Sequence, residues 1–99
     1  MTNGKKFEKR DEQFSRMCEE GTKIFRRKNR QYADAIATTG VLGASVEILG
    51  VASRLKPLVL HSPSHGRNEK AAILNVANDL HNFANILAMM VEDDNWEGI

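Results

Sequence analysis

Apolar side chains recur every three or four residues along most of the chain, and nowhere do they alternate as in a strand. Phe7, Phe14, Met17, Cys18, Ile24, Phe25 and Tyr32 form one amphipathic stripe, which predicts a first helix from about Phe7 to Gln31 or a little beyond. Gly21 interrupts that stripe and marks either a close crossing or a local weakness. Val41, Ala44, Ile48, Val51, Ala52 and Leu55 predict a second helix from about Val41 to Lys56, or on to Leu60, with Pro57 kinking or ending it. Val76, Leu80, Phe83, Leu87 and Met90 form a packing seam. They predict a third helix from Asn68, its N-cap, to about Val91, with Glu69 in the first turn. The intervening "HSPSHGR" (61–67) has loop composition. The expectation is a single all-α domain over 1–99, three main helices in an antiparallel bundle, with 1–6 and 92–99 flexible.

The third helix carries an anomaly. Asn75, Asn78, Asp79, Asn82 and Asn85 crowd into it, although Asn and Asp are poor helix formers. On a wheel with Asp79 at zero, the asparagines fall between about −40° and −120°, and the apolar face centres near about 80°. They therefore form one stripe with Asp79 at its border with the core. A purely solvated face is better filled by Lys, Glu or Gln, so the stripe points to a polar cleft or a polar seam with another chain. The second helix has a matching edge: Gly43, Glu47, Gly50 and Arg54 lie within about 60° of one another. Mid-helix glycines are tolerated where a backbone or ligand comes close. Glu47 and Arg54 either face such a cleft or form an ion pair at the rim of helix packing.

Length and composition leave this picture standing. At 99 residues, 41 % apolar and 27 % charged, the chain suits one small globular domain. The formal net charge of +1 gives no bulk attraction to nucleic acid or anionic membrane. Lys and Arg concentrate in residues 5–30, and "EDDNWE" is acidic. The basic runs "KKFEKR" and "FRRKNR" are interleaved with acidic residues and read as a solvated face, so nucleic acid is not the expected partner. No apolar run approaches the roughly 20 residues that span a bilayer. The single Cys18 excludes an intrachain disulfide and, on an apolar stripe, reads as core. With no signal-peptide pattern at the N-terminus, the expected location is cytoplasmic.

Three stretches resemble a known family. "FRRKNRQYADAI" (25–36), "VEILGVASRLKPLV" (46–59) and "NVANDLHNFANILA" (75–88) look like the motifs of the nucleotide modification associated domain family, small helical proteins of phages and bacteria. The resemblance covers about residues 20–90. It rests on Lys28, Asn29, Tyr32, Asp34, Arg54, Leu55, Asp79, Leu80, Asn82, Phe83 and Ala84 in that order. The family is similar in architecture to all-α nucleoside triphosphate pyrophosphohydrolases of the MazG-like group, which hold Mg²⁺ with clustered helical carboxylates. The resemblance implies a nucleotide or nucleoside triphosphate bound in a cleft between the second and third helices, with Glu47 and Asp79 toward Mg²⁺ and Arg54 toward phosphates. Asn82 and Tyr32 would orient base or sugar, with Asp34 close by. This sequence departs from the family's pattern at Gln31, Ala33, Gly50, Val51 and Asn75, several of them positions where a carboxylate is expected. Only Glu47, Asp79 and Asp34 or Glu69 remain as ligands.

Other chemistry is thin. His61, His65, the serines between them and Arg67 compose either a phosphate cradle at the third helix or a polar surface loop. His81 projects away from Asp79 and reads as surface. Phe7 and Phe14, far out on the first helix, give more apolar face than one protomer covers, so a homodimer with a four- or six-helix core is expected. Two readings stand: a nucleotide-binding protein, pyrophosphohydrolase-like or catalytically reduced, and a non-enzymatic helical interaction protein whose asparagine stripe is a seam between chains.

Overall fold

A computed structural model describes residues 2–32, 35–60 and 66–99, with the side chains of 2, 3, 32 and 67 left aside. All regular structure among these residues is helical. Helix α1 spans Thr2–Tyr32, a short 3₁₀ helix Ala35–Thr38, α2 Gly40–Ser53, α3 Leu55–Leu60 and α4 Arg67–Glu92. Helix α4 is the spine, since α1, α2 and α3 all pack on it. Ala44 of α2 meets Ile86 and Met90 of α4, whereas Arg54 just beyond α2 reaches Asp79. Contacts thus step down α4 as they step up α2.

The core is small. Ala44, Ile86 and Met90 are buried together, with Phe25, Ile36, Val41, Phe83 and Leu87 packed around them, and Val51 and Val76 are buried as well. Fully burying a side chain such as Val51, Val76, Ile86 or Met90 stabilises by about 1.5–3 kcal/mol. Many apolar groups stay outside. Leu42, Val46 and Leu49 line an open face of α2, Leu49 being 73 % exposed.

Three boundaries differ from the sequence pattern, the first being α1, which begins at Thr2 rather than near Phe7 and takes in residues expected to be flexible. The second helix breaks at Arg54 rather than at Pro57. A proline ring clashes with the carbonyl four residues earlier, here that of Ser53, so the helix breaks at Arg54, three residues ahead of the proline. Pro57 then falls in the first turn of α3, where its missing N–H leaves no broken bond. The third helix starts at Arg67, with Gly66 rather than Asn68 as N-cap.

The segment 92–99, expected to be flexible, is placed against the start of α2. Asp94 has a left-handed φ of 56°, and the Asn95 N–H donates to the Met90 carbonyl at 2.9 Å, which closes the end of α4. The chain then doubles back. The Val41 and Leu42 N–H groups, which a helix start leaves unpaired, donate to the carbonyls of Asn95 and Trp96, each at 2.9 Å. Asn95 Nδ2 donates to the Ala37 carbonyl at 2.8 Å, and its Oδ1 accepts from the Gly98 N–H at 2.9 Å. Gly98, at φ 101°, has no room for a side chain, because a Cβ there would sit on the Thr38 carbonyl. The Thr39 side chain makes no capping bond to α2, so the tail fills that role.

Candidate functional site

Asp79 lies half-buried on α4, facing α1. Its Oδ2 accepts from Arg54 Nη2 at 3.2 Å, and its Oδ1 lies 3.7 Å from Lys28 Nζ of α1. One carboxylate therefore ties three parts of the chain: α1, α4 and the turn between α2 and α3. Both cations are more than half exposed and Asp79 is 26 % exposed. Each bridge contributes little stability, about 1 kcal/mol at most. The chemical consequence is larger. Two cations share one anion, which leaves surplus positive charge at this rim.

Beside Asp79 opens a cavity of about 210 Å³ between α1, the 3₁₀ helix and α4. Its floor is Phe25, Ile36, Phe83 and Ile86, and its rim Lys28, Asn29, Asp79 and Asn82. Asn29 Oδ1 is buried and, among the described residues, has no hydrogen-bond partner. A buried acceptor left unpaired costs about 1–3 kcal/mol, so such groups call for a function or a guest. Helical spacing explains the assembly, because Phe25, Lys28 and Asn29 sit at i, i+3 and i+4 on one side of α1. Gly21, buried one turn earlier, lets that side approach α4 closely: a Cβ there would lie 2.7 Å from His81 Nδ1 and 3.0 Å from Asn82 Oδ1. His81, read from sequence as surface, is half-buried at this crossing, with Nδ1 3.1 Å from Asn82 Oδ1.

The expected cleft between the second and third sequence helices is thus displaced. The cavity that Asp79 and Asn82 line is walled by α1 and α4, and Arg54 reaches its rim from beyond the end of α2. Glu47 is exposed and does not join Asp79 there. It opens on an adjoining, wider cavity with Thr39, Gly43 and Ala44, which shares Ala35, Ile36, Phe83 and Ile86 with the first. The two carboxylates proposed for Mg²⁺ therefore occupy different cavities, and Asp79 already holds two cations. Glu69 lies a further ten residues up α4 from Asp79, about 15 Å along the axis. Among the described residues no group of three or more His, Cys, Asp or Glu could hold a metal. Asp34, the side chains of Tyr32 and Arg67, and the segment with His61 and His65 lie outside the described residues.

The asparagine stripe divides. Asn82 lines the cavity, Asn85 a shallower pocket with Thr22, Phe25 and Met89, and exposed Asn75 a surface hollow with Arg54 and Pro57. Of the two mid-helix glycines, Gly43 is crowded by the Thr39 side chain, but Gly50 meets nothing within 4 Å. Sequence reasoning named Asp79, Asn82 and Arg54 as site residues and passed over Phe25, Lys28 and Asn29 in that role. Their shared face with Tyr32, read against the position of Gly21, is the signal that could have found them.

No helix among the described residues is long and apolar enough to cross a membrane. Compared with known proteins, the chain matches no family model, no curated protein and no solved structure.

Proposed function

We propose that the chain is a nucleotide-binding helical module, an antiparallel bundle completed by a second copy. The observation that carries this reading is a cavity with aromatic walls and a cationic rim, with the buried Asn29 amide beside it. The cavity falls short of the roughly 300–1,000 Å³ of drug-sized pockets, so it suits one planar ring system with the rest of the ligand outside. A heteroaromatic base fits the floor between Phe25 and Phe83, and a turn of the Asn29 side chain toward it would offer Oδ1 the base's N–H. Sugar and phosphate emerge at the rim, where Lys28 and Arg54 neutralise the phosphate in competition with Asp79. Residues from all three family-like stretches meet here: Lys28 and Asn29, Arg54, and Asp79, Asn82 and Phe83.

The described side chains do not fit a resident metal cluster, since Asp79 is held by two cations and Glu47 faces another cavity. Mg²⁺ enters this reading only as a companion of the ligand's phosphates, which supply most of its oxygen ligands. In that role it would screen phosphate charge, and binding rather than turnover is the activity proposed.

The test is thermal shift against nucleosides, nucleotides and deoxynucleotides, with and without Mg²⁺. A selective rise in Tm for some of them, lost in Lys28→Gln, is the expected result. Asn29→Leu gives a sharper one. Removing a buried unpaired acceptor should raise the stability of the free protein by about 1 kcal/mol while abolishing the ligand shift. If no nucleoside or nucleotide shifts Tm at millimolar concentration, the reading fails. The non-enzymatic interaction protein then takes its place, a reading that the exposed Phe7 and Phe14 of α1 favour.

A further inference from the structure

Among the described residues nothing covers the first half of α1. Every residue from Gly4 to Met17 is exposed, with Phe7 at 68 %, Phe14 at 69 % and Met17 at 47 %. Isolated helices shorter than about 12–15 residues are marginal in water, and this stretch gains no packing from the described residues of its own chain. The apolar residues stand at spacings of seven and three, the repeat of a two-helix seam.

The charges around the seam are segregated. Residues 5–10 carry Lys5, Lys6, Lys9 and Arg10 against Glu8. Residues 11–20 carry Asp11, Glu12, Glu19 and Glu20 against Arg16. This order opposes the helix's own dipole, which favours acidic groups near the N-terminus and basic groups toward the C-terminus. Intrahelical electrostatics therefore do not explain it. Among the described residues Lys5, Lys6, Glu19 and Glu20 make no ion pair.

We propose that α1 pairs antiparallel with α1 of a second copy of this chain, through Phe7, Phe14 and Met17. With Phe7 opposite Met17 of the partner, the basic half of each helix lies along the acidic half of the other. Lys6 then flanks Glu20 of the other copy, twice by the two-fold axis, and Gln13 meets its own mate. A parallel pairing would set basic half on basic half. The antiparallel register also brings Asp11 beside its own mate, a like-charge contact that weakens the dimer. The uncovered α2 face, Leu42, Val46 and Leu49, carries no comparable charge pattern to select a partner.

Sedimentation equilibrium of the full chain tests this. Wild type should be dimeric at micromolar concentration, and Phe14→Ser monomeric with its helical circular dichroism largely kept. Glu20→Lys should weaken dimerisation about tenfold, because two attractive pairs become repulsive. Adding Lys6→Glu in the same chain should restore it, since both pairs are attractive again with signs reversed. Asp11→Asn should tighten the dimer, where a parallel pairing through Lys6 and Asp11 would loosen. A monomeric wild type, a dimer indifferent to Phe14→Ser, or a charge reversal without rescue would each overturn the proposal. None of these readouts depends on ligand, so they stand apart from the nucleotide experiment.

Discussion

Gly21 interrupts the apolar stripe of α1 and Gly50 lies on the polar edge of α2, and their neighbours give them opposite signs. At Gly21 a methyl group would press on His81 Nδ1 at 2.7 Å. Gly21→Ala should therefore destabilise by about 1–3 kcal/mol, overpacking outweighing the gain in helix propensity. In a His81→Ala background most of that cost should vanish. Urea denaturation of the double-mutant cycle measures it, and strict additivity would mean the crossing is not what excludes a side chain. At Gly50 nothing lies within 4 Å, so Gly50→Ala should stabilise by up to about 1 kcal/mol in the same assay. The sequence shows that a side chain is missing but not what stands opposite, so Gly21 reads as a close crossing or a local weakness and Gly50 as a place where a backbone or ligand comes close, and only Gly21 meets a described neighbour. Asn29 stood out in the sequence only as one residue of a family-like stretch. That its oxygen lacks a partner depends on α4 and the 3₁₀ helix, which no local pattern encodes.

At the scale of elements, the helices were legible because burial on α4 demands a repeat near 3.6, and Ile24, Phe25, Ala44, Val76, Phe83 and Met90 obey it. The capping of α2 was not. The tail 92–99 is polar, aperiodic and acidic, and it acts largely through its carbonyls, which every residue possesses. One side chain betrays the arrangement: Asn95 joins the 3₁₀ helix at Ala37 to the turn at Gly98. Asn95→Ala removes both bonds and should cost about 1–3 kcal/mol. Hydrogen exchange should localise the damage, with the Val41 and Leu42 amides exchanging faster while those in the middle of α4 keep their protection. Unchanged protection at Val41 and Leu42 would mean that the tail does not hold the start of α2. The site too is a product of elements. Lys28 and Asp79 come from α1 and α4 and Arg54 from the turn between α2 and α3, and the seam of α4 predicted Asp79's border position but not which helix it would face.

The whole molecule is longer than its chain requires. Its Cα radius of gyration is 16.3 Å, against about 13 Å for a compact domain of this length, and its longest extent is 50 Å. The first half of α1 accounts for the excess, standing clear of a core that Ala44, Ile86 and Met90 centre. A second copy that covers this helix ties stability to protein concentration. Each tenfold rise in concentration then adds about 1.4 kcal/mol to the free energy of unfolding the dimer, a few degrees in Tm. Phe14→Ser should flatten that dependence while the ligand-induced shift at the Asn29 cavity persists, because the two surfaces lie on different halves of α1. If instead the wild-type Tm stays constant across a hundredfold range of concentration, α1 must hold its first half without a partner. Helix propensity alone would then be sustaining a stretch that carries Gly4 and places its basic groups against its own dipole.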